Sequence, residues 1–322
     1  FEVTEREGVP KGEIKLHSSE VAEHFKIRLS PGLELPKNPE EIFSLLEDLR
    51  AYMVEYYGFK PADPLYYNLI SRECWGDPHK GGYASGDNLY VPEDTTFSNV
   101  AVIMHEMSHC FDSRMGFHPP WFGEGKSFPC YDQFVEETKG RYRKYLSAFS
   151  RDDRKTGRAA FKELEYGGEN LFQYWGTEKF PYWRKTPDGR DLTRLGYRSS
   201  NWFCYELSRF LGPTWLRDYF TLLSRDISEK CYFMPRDRVY ANSVIVDYFS
   251  RSSGKDAAAF FRSHDFHLKD IYACEAITLL CGEGDEDYIT SNEGAKAVPA
   301  PDGEGKVRHL EEGSLCYAFP VS

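Results

Sequence analysis

Two histidines four residues apart, with a glutamate directly after the first, stand in "HEMSH" from His105 to His109, and their types and spacing suit a divalent metal. On a helix, positions i and i+4 lie one above the other, so both imidazoles can turn a nitrogen toward one ion. Glu106 lies about 100° round that helix, near enough to take a proton from a water on the ion. Zinc is the metal this donor pair suits: three protein ligands leave it one position for a water whose acidity rises toward neutral pH. The bland alternative is a pair of packing or surface histidines. The neighbours oppose it, because Val100, Val102, Ile103, Met104, Met107 and Phe111 make the segment apolar, and histidines buried there need partners for their nitrogens.

A third ligand must come from beyond the helix. In an H-E-x-x-H-x-x-G-x-x-H arrangement it would be a histidine six residues after the second, but Asp112 and Met115 occupy the glycine and histidine places. His118 precedes Pro119 and Pro120, which hold it stiffly away from the helix face. Glu124, in "PPWFGEG", follows an apolar anchor of Trp121 and Phe122 and precedes Gly125, which permits close backbone approach. Its carboxylate can return to the helix.

The elements that position these residues follow from periodicity. Ile42, Phe43, Leu45, Leu46, Leu49, Met53 and Tyr56 recur at helical spacing over 40–57. "LYYNLI" and "GDNLYVP" are short and rich in β-formers and read as strands. Ser98 can cap a helix from Asn99 that stops at Gly116, so the histidines fall in its middle. Downstream, the stretches 132–149, 197–225 and 238–264 carry apolar faces at three- and four-residue spacing, and 282–306 shifts to Gly, Glu, Asp, Ala and Pro, the composition of a solvated loop.

Composition narrows the function. The 322 residues, 41% hydrophobic, are ample for a buried core, and no run approaches a membrane span. A net charge of −11 opposes nucleic-acid binding. Eight cysteines lack any C-x-x-C pair; they would form up to four bridges in a secreted protein and small buried hydrophobes in the cytosol, and Cys110, beside His109, is expected buried or bridged. The first residue, Phe1, is consistent with a removed leader, and a secreted or periplasmic location is expected.

"HEMSH" followed by "WFGEG" resembles the gluzincin zinc peptidases, whose third ligand is a glutamate on the next helix. The resemblance implies Zn2+ held by His105, His109 and Glu124, with Glu106 as general base. "YRSSNWFCYELSRFLG" is similar to the tyrosine-led helix of M1 aminopeptidases, which implies that Tyr197 donates to the oxyanion, with Leu207 in a matching place. "SSGKDAAAFF" resembles the closing helices of bacterial gluzincins, including M60-like, mucin-directed peptidases. The implied fold is α+β, a thermolysin-like gluzincin catalytic domain: a small N-terminal mixed sheet over 1–97 carrying a substrate-edge strand, a zinc-binding and mostly helical catalytic subdomain over 98–281, and an acidic Gly/Pro-rich loop and tail over 282–322.

The chain departs from the M1 pattern where Gly-x-Met-Glu-Asn would grip a free amine: "SGDNLYV" stands there, with Asp87 or Glu93 as the nearest acidic substitutes. The expected activity is therefore endopeptidase, with the strand "GDNLYVP" pairing with an extended substrate along a free edge. A zinc exopeptidase and an inactive glycan- or protein-binding module are the alternatives, and the intact four residues oppose the second. Asp87, Asn88, Trp175 and Trp183 are the expected substrate contacts. The basic stretch 139–158 and the aromatics Tyr166, Tyr174, Trp175, Tyr182 and Trp183 suggest an O-glycosylated peptide or glycoprotein partner, although the basic stretch also reads as a solvated helix face.

Overall fold

A computed structural model describes residues 15–20, 22–35, 38–75, 81–93, 100–112, 118–138, 141–142, 145, 151–166, 169–177, 179–181, 191–229, 232–233 and 238–268, and the strand backbones at 272–274, 278–281, 289–290, 296–299, 306–309 and 316–318. The chain forms two compact units, Phe1–Gly116 with Lys126–Ser150, and Phe117–Gly125 with Arg151–Ser322.

The first unit opens with β1 (Lys15–Ser19) and β2 (Ala22–Leu29), followed by α1 (Pro39–Tyr57), β3 (Leu65–Ile70), α2 (Arg72–Trp75), β4 (Tyr83–Ser85), β5 (Asn88–Pro92) and α3 (Val100–Asp112). The chain then passes through α4 (Pro120–Gly125), part of the second unit, and returns in α5 (Ser127–Glu137). The five strands make one mixed sheet in the order β1-β2-β3-β5-β4, with β2, β3 and β5 parallel and the outer strands antiparallel. Phe25, Ile27 and Leu29 alternate inward along β2, whereas β3 and β5 are nearly continuous buried runs, the pattern of parallel strands covered on both faces. Helix α1 starts with Pro39 in its first turn and Glu40 and Glu41 against the helix N-terminus. Its Ile42, Phe43, Leu45, Leu46, Leu49 and Met53 are buried, each contributing about 1.5–3 kcal/mol of apolar burial. It packs on β2, α3 and α5, while α3 lies on β4 and β5.

The second unit is helical around an aromatic centre. α6 (Arg151–Glu163) leads through the short strands β6 (Glu165–Tyr166) and β7 (Glu169–Asn170) and a 3-10 turn at Leu171–Tyr174 to α7 (Leu192–Leu211) and α8 (Trp215–Glu229). Then come β8 (Tyr232–Phe233), α9 (Arg238–Ser253) and α10 (Ala257–Arg262). Helix α7 packs on α4, α6 and α8, and α9 on α8 and α10. Asp191 caps α7 by accepting from Arg194 N, and Asp256 caps α10 by accepting from Ala259 N. Trp121, Phe122, Phe172, Phe203, Phe261 and Phe266 are buried and meet mostly edge to face, the arrangement aromatic quadrupoles favour.

Three expectations change. The strand "GDNLYVP" forms as β5, but it is an inner strand of the sheet: β3 lies on one side, and β4 covers Asn88–Tyr90 on the other in register Tyr83↔Tyr90 to Ser85↔Asn88. β4 was hidden by its length of three residues. The segment 282–322, expected as loop and tail, carries β11 (Ile289–Thr290), β12 (Lys296–Pro299), β13 (Lys306–His309) and β14 (Cys316–Ala318). These pair with one another, with β8, and with β9 (Tyr272–Cys274) and β10 (Thr278–Cys281); short alternating runs such as "KVRH" were masked by the surrounding Gly and Pro. The helix expected over 132–149 ends at Glu137, where Thr138 turns its N–H and hydroxyl back to Phe134 O. Helix α3 clusters with the sheet in the first unit. No helix among the described residues is long and apolar enough to cross a membrane.

Candidate metal centre

Helix α3 presents its histidines as the spacing requires. The Nε2 atoms of His105 and His109 are 3.4 Å apart and the two rings are perpendicular. Two nitrogens bound at about 2.0–2.1 Å to one tetrahedral ion are separated by about 3.4 Å, so the pair already has the edge length of a zinc site. Glu124, on α4, completes the group: one donor atom from each of His105, His109 and Glu124 lies within 4.8 Å of the others. The donor set fits zinc in chemistry and in number.

Close packing seats α4. A Cβ built on Gly125 would stand 2.4 Å from the backbone oxygen of Ser200 on α7, so only glycine lets α4 approach α7 this closely directly after Glu124. Trp121, fully buried, donates its indole N–H to Asn242 Oδ1 at 2.9 Å. His118 is not part of this arrangement: it is buried, with Nε2 3.1 Å from the Tyr219 hydroxyl and its ring against Phe122 and Phe220.

Glu106 is 5% exposed. Gly82, just before β4, lies against it: a Cβ there would be 2.7 Å from Glu106 Oε1 and 2.8 Å from its Cγ. Glycine thus leaves the room that the carboxylate fills. Cys110 is a buried free thiol whose Sγ sits 3.7 Å from Glu106 O, and burial, with Glu106 adding, pushes its pKa up to about 12. It stays protonated and does not compete for metal. Cys130 and Cys204 are likewise buried and free.

Residues absent from the sequence-based set complete the surroundings. Asp112 Oδ2 lies 3.3 Å from His109 Nδ1 and 2.5 Å from Lys126 Nζ, with Lys126 fully buried. The signal for Asp112 was its place three residues after His109, on the same helix face. Lys126 carried no such signal, since a lysine after Glu-Gly reads as exposed.

Tyr197 lies on α7 one turn before Ser200, its ring edge-on to Trp175 at 5.1 Å. Trp175 is fully buried, which corrects its expected role as a stacking face; its apolar bulk was spent on packing against Gly196 and Phe180. Asn88 accepts from Arg28 at 3.1 Å and from Asn68 at 3.2 Å and donates to Asp87, so both residues are engaged at the β4–β5 turn. Trp183 and Tyr182, the cap residue Ser98, and most of the basic stretch 139–150 lie outside the described residues; Lys155 and Arg158, on α6, are exposed.

No protein-family model and no curated protein matches the sequence. Among solved structures the chain is similar to yeast LTA4 hydrolase in complex with bestatin (13% identity, TM-score 0.45, 66% of this chain and 34% of that one). It is also similar to a mutant M1 zinc metallopeptidase from Deinococcus radiodurans (11%, TM-score 0.45, 80% and 53%). A third is an aminopeptidase N family protein from Idiomarina loihiensis (10%, TM-score 0.45, 92% and 56%). The chain spans about a third to somewhat over half the length of these proteins.

Proposed function

We propose that this chain is a zinc-dependent peptidase that cleaves within extended polypeptides. The observation that carries the reading is the convergence of His105, His109 and Glu124, with the two imidazole nitrogens at 3.4 Å. Zinc, when bound, polarises the scissile carbonyl and acidifies the attacking water. Glu106, seated in the room that Gly82 leaves and shielded from solvent, would take that water's proton and return it to the departing amine, so that water and peptide become a carboxylate and an amine. Tyr197 is assigned as donor to the oxyanion; the seating of Gly125 on Ser200, one turn along α7, supports placing its helix beside Glu124. An extended substrate would lie along β4, the outer strand next to Gly82, rather than along β5.

Cleavage inside the chain is favoured by the sequence at the amine-gripping position, where "SGDNLYV" replaces Gly-x-Met-Glu-Asn. Direction toward O-glycosylated proteins loses one stacking face with the burial of Trp175. The test is metal analysis of the purified chain, with mass spectrometry of a peptide mixture and of a mucin-type glycoprotein before and after deglycosylation. One zinc per chain and internal fragments are expected. Release of single N-terminal residues would make it an aminopeptidase, cleavage confined to the glycosylated form would restore glycan direction, and a metal-free active chain would end the zinc reading.

A further inference from the structure

The buried ammonium of Lys126 has a use beyond packing. Its side chain is 0% exposed and donates to Asp112 Oδ2 at 2.5 Å, and the same oxygen lies 3.3 Å from His109 Nδ1. His109 Nε2 faces His105 Nε2 at 3.4 Å, so Nε2 is the nitrogen turned toward the metal, and Nδ1 is left to carry the proton and donate to Asp112. The three groups form a series from cation to carboxylate to ligand. Asp112 is the last residue of α3, the end of a helix that disfavours negative charge, so the carboxylate is poorly held there by its own helix. Lys126 supplies a counter-charge from the turn between α4 and α5, two residues beyond Glu124.

Building on the zinc reading above, we infer that Lys126 is a positioning residue for the metal centre. It fixes the Asp112 carboxylate where Oδ2 accepts from His109 Nδ1–H, and so sets the tautomer and ring plane of that ligand. Because Lys126 follows Glu124 so closely, one ion pair joins the end of the histidine helix to the segment carrying the third ligand. A lysine that only clamps the two segments together would support folding without acting on the ligand, and the two roles separate experimentally.

The test uses the full chain with Lys126→Met, Asp112→Asn, and the double variant, which carries no uncompensated buried charge if a single variant fails to fold. Zinc dissociation constants are measured by competition with a chromophoric chelator, and visible spectra are recorded after cobalt substitution. Loss of an outer partner of a ligating histidine lowers metal affinity about 10–100-fold, and that loss is expected here with an altered cobalt spectrum. Since the residues act in series, the double variant should bind no worse than the weaker single one. Wild-type zinc affinity and spectrum in Lys126→Met or in the double variant, with only the unfolding midpoint of the metal-free protein lowered, would overturn the inference and leave a clamp. Failure of the wild-type chain to bind zinc would overturn the zinc reading itself.

Discussion

Replacing Gly125 with alanine tests how the third ligand is placed. The added methyl would stand 2.4 Å from Ser200 O, 2.6 Å from Ser200 C and 2.8 Å from Cys204 Sγ. Ordinary contacts begin near 3.4 Å, so α4 must retreat from α7 by about 1 Å at this point. Overpacking of this kind costs about 1–3 kcal/mol, and three close atoms, two of them backbone, put Gly125→Ala at the upper end. Alanine regains about 1 kcal/mol of helix propensity, leaving a net loss of about 2 kcal/mol. Gly123, on the same helix, has nothing within 4 Å of a built Cβ, so Gly123→Ala is the matched control and should be neutral or slightly stabilising. The shift reaches Glu124, and the proposed zinc site would tolerate only about 0.2 Å in that ligand's distance. A misplacement of about 1 Å costs on the order of a hundredfold in turnover. Denaturant unfolding, zinc content and kcat/KM of both variants are the assays. If Gly125→Ala matches Gly123→Ala in stability and keeps its turnover, the seating of α4 on Ser200 does not position the ligand.

Glu106→Gln should keep zinc and fold while lowering kcat about 10²–10⁴-fold, since it removes a base and no ligand; an active variant refutes the assignment. Tyr197→Phe keeps the ring contact with Trp175 and should lower kcat about 10²–10³-fold with little change in KM, whereas unchanged kcat returns Tyr197 to packing. Burial raises the Cys110 thiol from 9.0 to about 12 and pushes Cys130 well above its ordinary value, so neither should react with iodoacetamide at pH 8 until the chain unfolds, which peptide mapping reads. Because its folded-state value is raised, the stability the Cys110 thiol contributes is whole below pH 9.0 and lost as pH rises toward 12, and the urea midpoint should fall over that window.

The site was legible where chemistry imposes a spacing. His105 and His109 could be read from their separation alone, since a helix turns i to i+4 onto one face whatever surrounds it. Glu124 was a candidate from its place before Gly125, which permits close approach, but the partner of that approach, Ser200 on α7, lies 75 residues later in the chain and no local pattern records it. α1, β3 and β5 followed from periodicity and composition. The alternation of Phe25, Ile27 and Leu29 marks β2 just as clearly, though no element before residue 40 was expected. β4 escaped notice because three residues cannot display a period. Trp175 shows the limit of composition: an aromatic cluster does not reveal which rings face water.

The amides that hold Trp121 set a timetable for assembly. Asn242 accepts the Trp121 indole N–H and donates to Gln173 O at 3.2 Å, while Gln173 donates to Asp265 O at 3.1 Å and accepts from His267 N at 2.7 Å. The helix bearing Glu124 is therefore locked by residues made up to 146 positions after Trp121. At a synthesis rate of about 5–20 residues per second, the nascent chain displays His105 and His109 for roughly 7–30 s before that lock can close. During that interval the segment bearing Glu124 has not yet been locked, so on the zinc reading proposed above the three-ligand site is complete only after His267 has been made.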